Sequence, residues 1–346
     1  MTIRYPVPLR RGDRIGVTSP SSGIAPDLRP RLEYCVERLR ERGHEVVVGQ
    51  CMDGTGPTSA SGRARAKELT AMLSDPDIRA VVPPWGGELA VEILPYLDMA
   101  AIAAVEPTWL VGYSDVSTLL LMMTTMTTMT GTATVHGPNL MDLAYRVPQP
   151  LASWLDVAAL PAGEAFTQGA TTHHRSSGFD RWQDEPTLDE YTLDVPGTWS
   201  LLDPAAGDVR VSGRLIGGCI ETVGMLAGTV YADLAAFTRA HAPEGLIVYV
   251  EAAENGAFTI ARALWRMRLA GWFDRANAVL VGRTAAPDAP GFTQSDAVRS
   301  ALGDLDLPVV VDVDLGHVPP QLVLVNGAMT DLTVAGATKT ITQHLR

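Results

Sequence analysis

Cysteine is scarce in this chain. Cys35, Cys51 and Cys219 show no metal-ligand spacing and form no even set of disulfide partners, so reduced thiols in a cytoplasmic protein are the expectation. Long apolar runs are missing too. Met1 to Asp13 has no signal-peptide core, and the run at Leu119 is broken by Thr124, Thr125, Thr127 and Thr128. No segment reaches the roughly 20 apolar residues of a membrane span. Basic charge is also short. Against 39 Asp and Glu stand 27 Lys and Arg, for a formal charge of −12, which argues against nucleic acid or an anionic membrane as partner. No internal repeat is present. His173-His174 is an adjacent pair, but no third residue has convincing ligand spacing, so neither a metal nor a cofactor is expected. What remains is the composition of an ordinary globular protein, 46% hydrophobic and 19% charged. A small-molecule ligand stays open.

At 346 residues two domains are the natural expectation. The first half alternates strand and helix signals. Arg14 to Thr18 reads as a strand, Arg29 to Arg42 as an amphipathic helix stopped by Gly43, and Glu45 to Val48 as the next strand. Ala64 to Leu73 (helix), Ala80 to Pro83 (strand) and Glu88 to Leu97 (helix) continue the series. Such alternation implies a parallel sheet covered by helices, with ligand sites at the carboxyl ends of its strands. Residues 1–150 are taken as this domain. Residues 151–210, rich in acid, Pro and Gly with scattered aromatics, read as a linker or substrate loop. Residues 211–346 form a second domain, with strands at Gly245 to Val250, Ala278 to Val281 and Pro308 to Val313 and a helix near Thr259 to Leu269.

Chemistry concentrates at Gly112-Tyr113-Ser114-Asp115. It follows the apolar run Thr108 to Val111 and precedes Val116 to Met129, which reads as a helix. A serine at a sharp strand-to-helix turn is held exposed beside backbone N–H groups. Val116 stands where the second glycine of G-x-S-x-G would be, and Ser-Asp before a helix is also an ordinary N-cap. A serine nucleophile needs a base and an acid to orient it. His317 leaves the apolar run Val309 to Val313 on a loop, whereas His136 reads as structural. Glu251 ends the apolar run Leu246 to Val250, where a buried carboxylate requires a partner; Glu254 is its competitor. Gly86-Gly87 lets backbone N–H groups approach a ligand, so Gly86 or Gly87 with Asp115 could supply two oxyanion donors.

In this order the pieces resemble the LD-carboxypeptidase family of serine peptidases, and within it the microcin C immunity peptidases. The likeness spans nearly the whole chain. It includes Gly12 to Gly16 with Ser19 to Ser22, Ser61-Gly62, Gly86-Gly87 with Leu94 to Asp98, and the serine turn. His136-Gly137-Pro138, Gly213 to Gly218, the strand ending in Glu251, and Asp314 to His317 complete it. The resemblance implies Ser114 as nucleophile, His317 as general base and then acid, and Glu251 as its orienting carboxylate. It implies a flavodoxin-like parallel-sheet domain joined to a β-barrel-like α/β domain, with the site between them, in a homodimer. Trp85, Glu88, Cys219 and Ala252 depart from the family's usual residues, and the segment after His317 follows it loosely.

Two substrate classes follow from the resemblance. One is an amino acid or peptide joined to a modified nucleotide; the other is an L,D-linked murein tetrapeptide. The aromatic segment favours the first, because a nucleobase needs a flat surface on which to stack. Trp182, then Trp199, are the stacking candidates, with Trp85 a further substrate-binding candidate. A protein that sequesters such a ligand without cutting it is the alternative of another class.

Overall fold

The computed structural model describes residues 3–126 and 130–346. Two sheets organise it. The first runs in the order Leu324–Asn326, Thr134–His136, Trp109–Gly112, Ile78–Val81, Arg14–Val17 and Glu45–Val48. Its last five strands are mutually parallel, and Leu324–Asn326 is antiparallel to Thr134–His136. Trp109–Gly112 is buried along its whole length, as a central parallel strand covered on both faces must be. Glu45–Val48, at the edge, is mostly exposed.

The second sheet has eight strands, ordered Ala165–Gly169, Thr338–His344, Met329–Ala335, Val209–Cys219, Leu246–Glu251, Ala276–Gly282, Val309–Val313 and Ser200–Leu201. The four strands from Val209–Cys219 to Val309–Val313 are parallel, and the strands on either side are antiparallel. Leu246–Glu251 is wholly buried, so its terminal carboxylate is delivered into the interior.

Several elements differ from the sequence reading, each for a local reason. The helix expected from Val116 to Met129 is a 3-10 turn at Ser114–Val116 followed by a helix at Ser117–Thr125; residues 127–129 lie outside the described residues. The helix expected from Glu88 to Leu97 is a 3-10 helix at Ala90–Tyr96 containing Pro95. Proline donates no N–H and crowds the preceding turn, so an α-helix does not run through it. The 151–210 segment is more than a linker. It supplies a strand to each edge of the second sheet and a short pairing of His173–His174 with Val195–Pro196. The late strand Leu324–Asn326 crosses back to complete the first sheet. There Asn326 accepts from Gly217 N at 3.2 Å and Tyr249 Oη at 2.8 Å, and donates to Thr134 Oγ1 at 3.3 Å. One amide thus ties the two sheets together. Among the described residues, no helix is long and apolar enough to cross a membrane.

Trp199 requires a correction. It is fully buried in the core of the second domain, beside Tyr249, Leu280 and Leu315. Its Nε1 donates to Asp314 Oδ2 at 2.8 Å, and Asp314 also accepts from Thr171 N at 2.9 Å and from Arg283. A ring with both faces packed and its polar edge bonded has no surface left for a base. Trp199→Phe is expected to lower unfolding stability by about 1.5–3 kcal/mol, the worth of a hydrogen bond to a charged acceptor. Denaturant unfolding checks it, and ligand affinity should be unchanged.

Candidate active site

The serine turn is built by backbone strain. Ser114 has φ of +61°, a left-handed conformation costing about 1–3 kcal/mol in a non-glycine residue and concentrated at functional sites. Tyr113, not Ser114, occupies the N-cap position, and no side-chain cap bond forms there. The ordinary capping role is therefore not the one Ser114 plays. Asn139 steadies the turn by accepting from Tyr113 N at 3.3 Å.

The glycine pair lies against it. A Cβ on Gly86 would come within 2.8 Å of Ser114 Cβ, 2.9 Å of its Oγ and 3.1 Å of Asp115 N, so only glycine fits. This closeness puts the Gly86 backbone and the Asp115 N–H around one point next to the hydroxyl. Asp115 itself is buried. Its Oδ2 accepts from Ser21 Oγ and from Ala90 N at 2.7 Å, while Ser21 Oγ accepts from Leu89 N at 3.2 Å. The carboxylate therefore clamps the serine turn to the chain that follows Gly86-Gly87. Burial pushes its pKa up, against the pull of those hydrogen bonds.

Glu251 and His317 meet from different elements. His317 Nδ1 lies 2.8 Å from Glu251 Oε2, and Glu251 has no solvent exposure. Gly316, at φ +87°, allows the contact, because a Cβ there would stand 2.3 Å from Glu251 Oε2. Burial alone would raise the Glu251 pKa, but the His317 charge and hydrogen bond hold it below the usual range. Burial would likewise lower the imidazole, and the Glu251 charge and hydrogen bond raise it instead. The imidazole thus has its Nδ1 fixed by a carboxylate, leaving Nε2 to exchange a proton with a nucleophile. The Tyr113 ring packs 5.0 Å from the His317 ring, centroid to centroid. His136 sits behind, buried, its pKa pushed down to about 4 mainly by burial; Ser117 Oγ lies 3.5 Å from its Nδ1.

Ser114 and His317 line two adjoining cavities. The first, of about 400 Å³, has Trp85, Trp182, Tyr145 and Tyr191 among its walls. Trp85 Nε1 donates to Gly23 O at 3.0 Å and Trp182 Nε1 to Tyr145 Oη at 2.8 Å, so both indoles are positioned by their polar edges. The Arg31 guanidinium lies 5.0 Å from the Trp182 and Tyr145 ring centroids. It also donates to Met141 O, Pro186 O and Leu188 O, which fastens the aromatic segment to the first domain. The second cavity, of about 390 Å³, opens toward Glu221 and Glu254. Gly87 lines both, and Trp199 neither.

The sequence reading missed Asp142, Arg175 and Gln321. Burial, partly offset by the Arg31 charge, raises Asp142 to about 6, and the Gln321 Oε1 is buried without a partner. They come from irregular segments with no periodic pattern. A charged residue inside the aromatic loop was the sole signal for Arg175. Cys219, Glu251 and His317 offer ligand atoms within 4.8 Å of one another. The Cys219 thiol, however, is pushed well above its ordinary pKa by burial and by the neighbouring Glu251 and Glu221 charges. A thiol kept protonated is a poor metal ligand.

Comparison with known proteins gives a consistent picture. Residues 15–137 match the LD-carboxypeptidase N-terminal domain and residues 212–332 the LD-carboxypeptidase C-terminal domain. A Vibrio cholerae protein, whose carboxypeptidase name is provisional, is 29% identical over 331 residues, 92% of either chain. The microcin C7 self-immunity protein MccF of Escherichia coli is 27% identical, covering 92% of this chain and 89% of its own. The murein tetrapeptide carboxypeptidase of Pseudomonas aeruginosa is 26% identical, over 73% of this chain and 71% of its own. A solved structure of MccF with glutamyl sulfamoyl guanosine superposes with a TM-score of 0.80 at 24% identity, covering 99% of this chain and 98% of that one.

A fluorophosphonate is expected to add once, at Ser114, detected by peptide mass spectrometry. Protonated His317 cannot accept the serine proton, and Glu251 raises its pKa. The labelling rate should therefore fall on acidification with a midpoint above the ordinary histidine value of 6.5. Glu251→Gln should slow labelling and move that midpoint to lower pH.

Proposed function

Because the chain belongs to the LD-carboxypeptidase family, we propose that it is a serine hydrolase cutting the amide-type bond between an amino acid or peptide and a modified nucleotide. In this reading Ser114 Oγ attacks the carbonyl carbon as its proton passes to His317 Nε2. Glu251 keeps the imidazole in the right tautomer and stabilises the imidazolium. The Asp115 N–H and a Gly86 or Gly87 N–H receive the developing oxyanion, each donor worth about 2.7–4 kcal/mol. The imidazolium then protonates the leaving nitrogen, and water releases the acyl group by the same route. No cofactor is required by these steps.

The observation that carries the nucleotide reading is the aromatic cavity opening on Ser114 and His317. Trp182 and Trp85 line the same cavity as Ser114, and a base stacked on an aromatic ring gains about 1–3 kcal/mol. Similarity to the microcin C7 self-immunity protein supports the same substrate class and a role in detoxifying such antibiotics. The buried free thiols Cys35, Cys51 and Cys219 suit a reducing cytoplasm. We also infer a homodimer. Phe258, Trp265 and Leu269 follow one face of the helix Ala257–Leu269, with Phe258 49% and Leu269 82% exposed, an apolar face that water disfavours.

The test is mass spectrometry of wild-type and Ser114→Ala protein given aminoacyl sulfamoyl adenosines and, in parallel, the L,D-linked murein tetrapeptide. Serine-dependent release of sulfamoyl adenosine is expected, lost by about a millionfold in Ser114→Ala, with Trp182→Ala raising KM. Loss of D-alanine instead would make it a murein carboxypeptidase. Saturable binding with no product from either would leave a sequestering protein. Light scattering should give twice the chain mass, and Leu269→Asp should shift it toward the monomer.

A further inference from the structure

We infer that the second cavity, on the Glu221 side of Ser114, takes an acyl group bearing a positive charge. This rests on the hydrolase reading above and adds to it which aminoacyl group is cut. Glu88, Glu221 and Glu254 border this cavity, and it shares Ser114 and His317 with the aromatic one. Glu221 is a fixed negative wall. Its Oε1 accepts from Ala253, Glu254 and Asn255 N–H groups at 2.8, 3.1 and 3.2 Å, and its Oε2 accepts from Cys219 Sγ at 3.2 Å. A carboxylate gripped by three backbone N–H groups is held in place at the wall. Burial, and then the charges of Glu254, Asp115 and Glu221, raise the pKa of Glu88. Three glutamates thus line this cavity, against Arg175 and His317 on the same walls.

Arg175 is the arginine on these walls, and it is already engaged. It lines both cavities and is only 7% exposed. Its Nη2 is held by Asp180 Oδ2 at 2.6 Å, its backbone N donates to Pro319 O at 3.1 Å, and its Nε is buried without a partner. A guanidinium bound to Asp180 does not neutralise the three glutamates. The cleft is thus acidic on the Glu221 side of Ser114 and aromatic on the other. An acidic aminoacyl group, such as the glutamyl group of the ligand bound in the MccF structure, would meet like charge here.

Lysyl-, alanyl- and glutamyl-sulfamoyl adenosine, incubated separately with wild-type, Glu88→Gln and Glu254→Gln protein, test this by the rate of sulfamoyl adenosine release. Glu88 and Glu254 are chosen over Glu221, whose carboxylate also holds the 253–255 loop. The expected kcat/KM for the lysyl compound exceeds that for the glutamyl compound about tenfold or more, with alanyl between, as charge complementarity predicts. Each glutamine variant, and raised salt, should narrow the ratio. Equal rates or a glutamyl preference would overturn the inference and leave the nucleotide hydrolase reading standing. Release from none of the three, with D-alanine lost from the tetrapeptide, would overturn both.

Discussion

The site depends on one buried charge. Glu251 lies at the end of a wholly buried strand, and an ionised carboxylate there is tolerated only with a partner. That partner, His317, arrives on a loop following a different strand, and Gly316 alone allows so close an approach. The pair fixes which imidazole nitrogen is engaged by the carboxylate and raises the basicity of the ring. Beside it Glu251, Gly282 and Leu315 close on one another: a Cβ at Gly282 would stand 2.8 Å from Glu251 Cβ and 2.4 Å from Leu315 O. The carboxylate–imidazole pair and the core of the second domain are packed together.

The first domain answers with its own. Ser114 is held at a strained φ because Asn139, the Gly86 backbone and the Asp115 carboxylate surround the turn. Strain of this kind persists where the surroundings over-determine it. The two halves are joined behind the site by Asn326 and by Ser117 Oγ, which accepts from Cys219 N at 3.2 Å. An edge strand from the end of the chain completes the sheet that carries the serine. The site is thus shared between domains, but neither half is covalently or topologically independent of the other.

Around this centre the irregular 151–210 segment lines both cavities. Arg31 staples it to the first domain, and Arg175 N, donating to Pro319 O, staples it to the second. The segment then supplies Trp182, Tyr191 and Arg175 to the cleft while burying Trp199. Aromatic residues scattered along one loop end up with opposite roles because one indole N–H finds Tyr145 at the cavity and the other finds Asp314 in the core.

The sequence by itself determined the alternation that makes the first sheet, the serine turn between Trp109–Gly112 and its helix, and the candidacy of Glu251 and His317 at the ends of apolar runs. Those are local patterns, governed by periodicity and by the cost of ending a buried strand in a charge. Tertiary structure alone decided that Glu251 and His317 touch, 66 residues apart in the chain, and that Gly86 lies against Ser114. It alone set Trp182 apart from Trp199, and brought Asp142, Arg175 and Gln321 to the cavity walls. Contacts between distant segments without periodicity leave no trace in residue spacing, and a loop residue's environment is set by whatever it packs against.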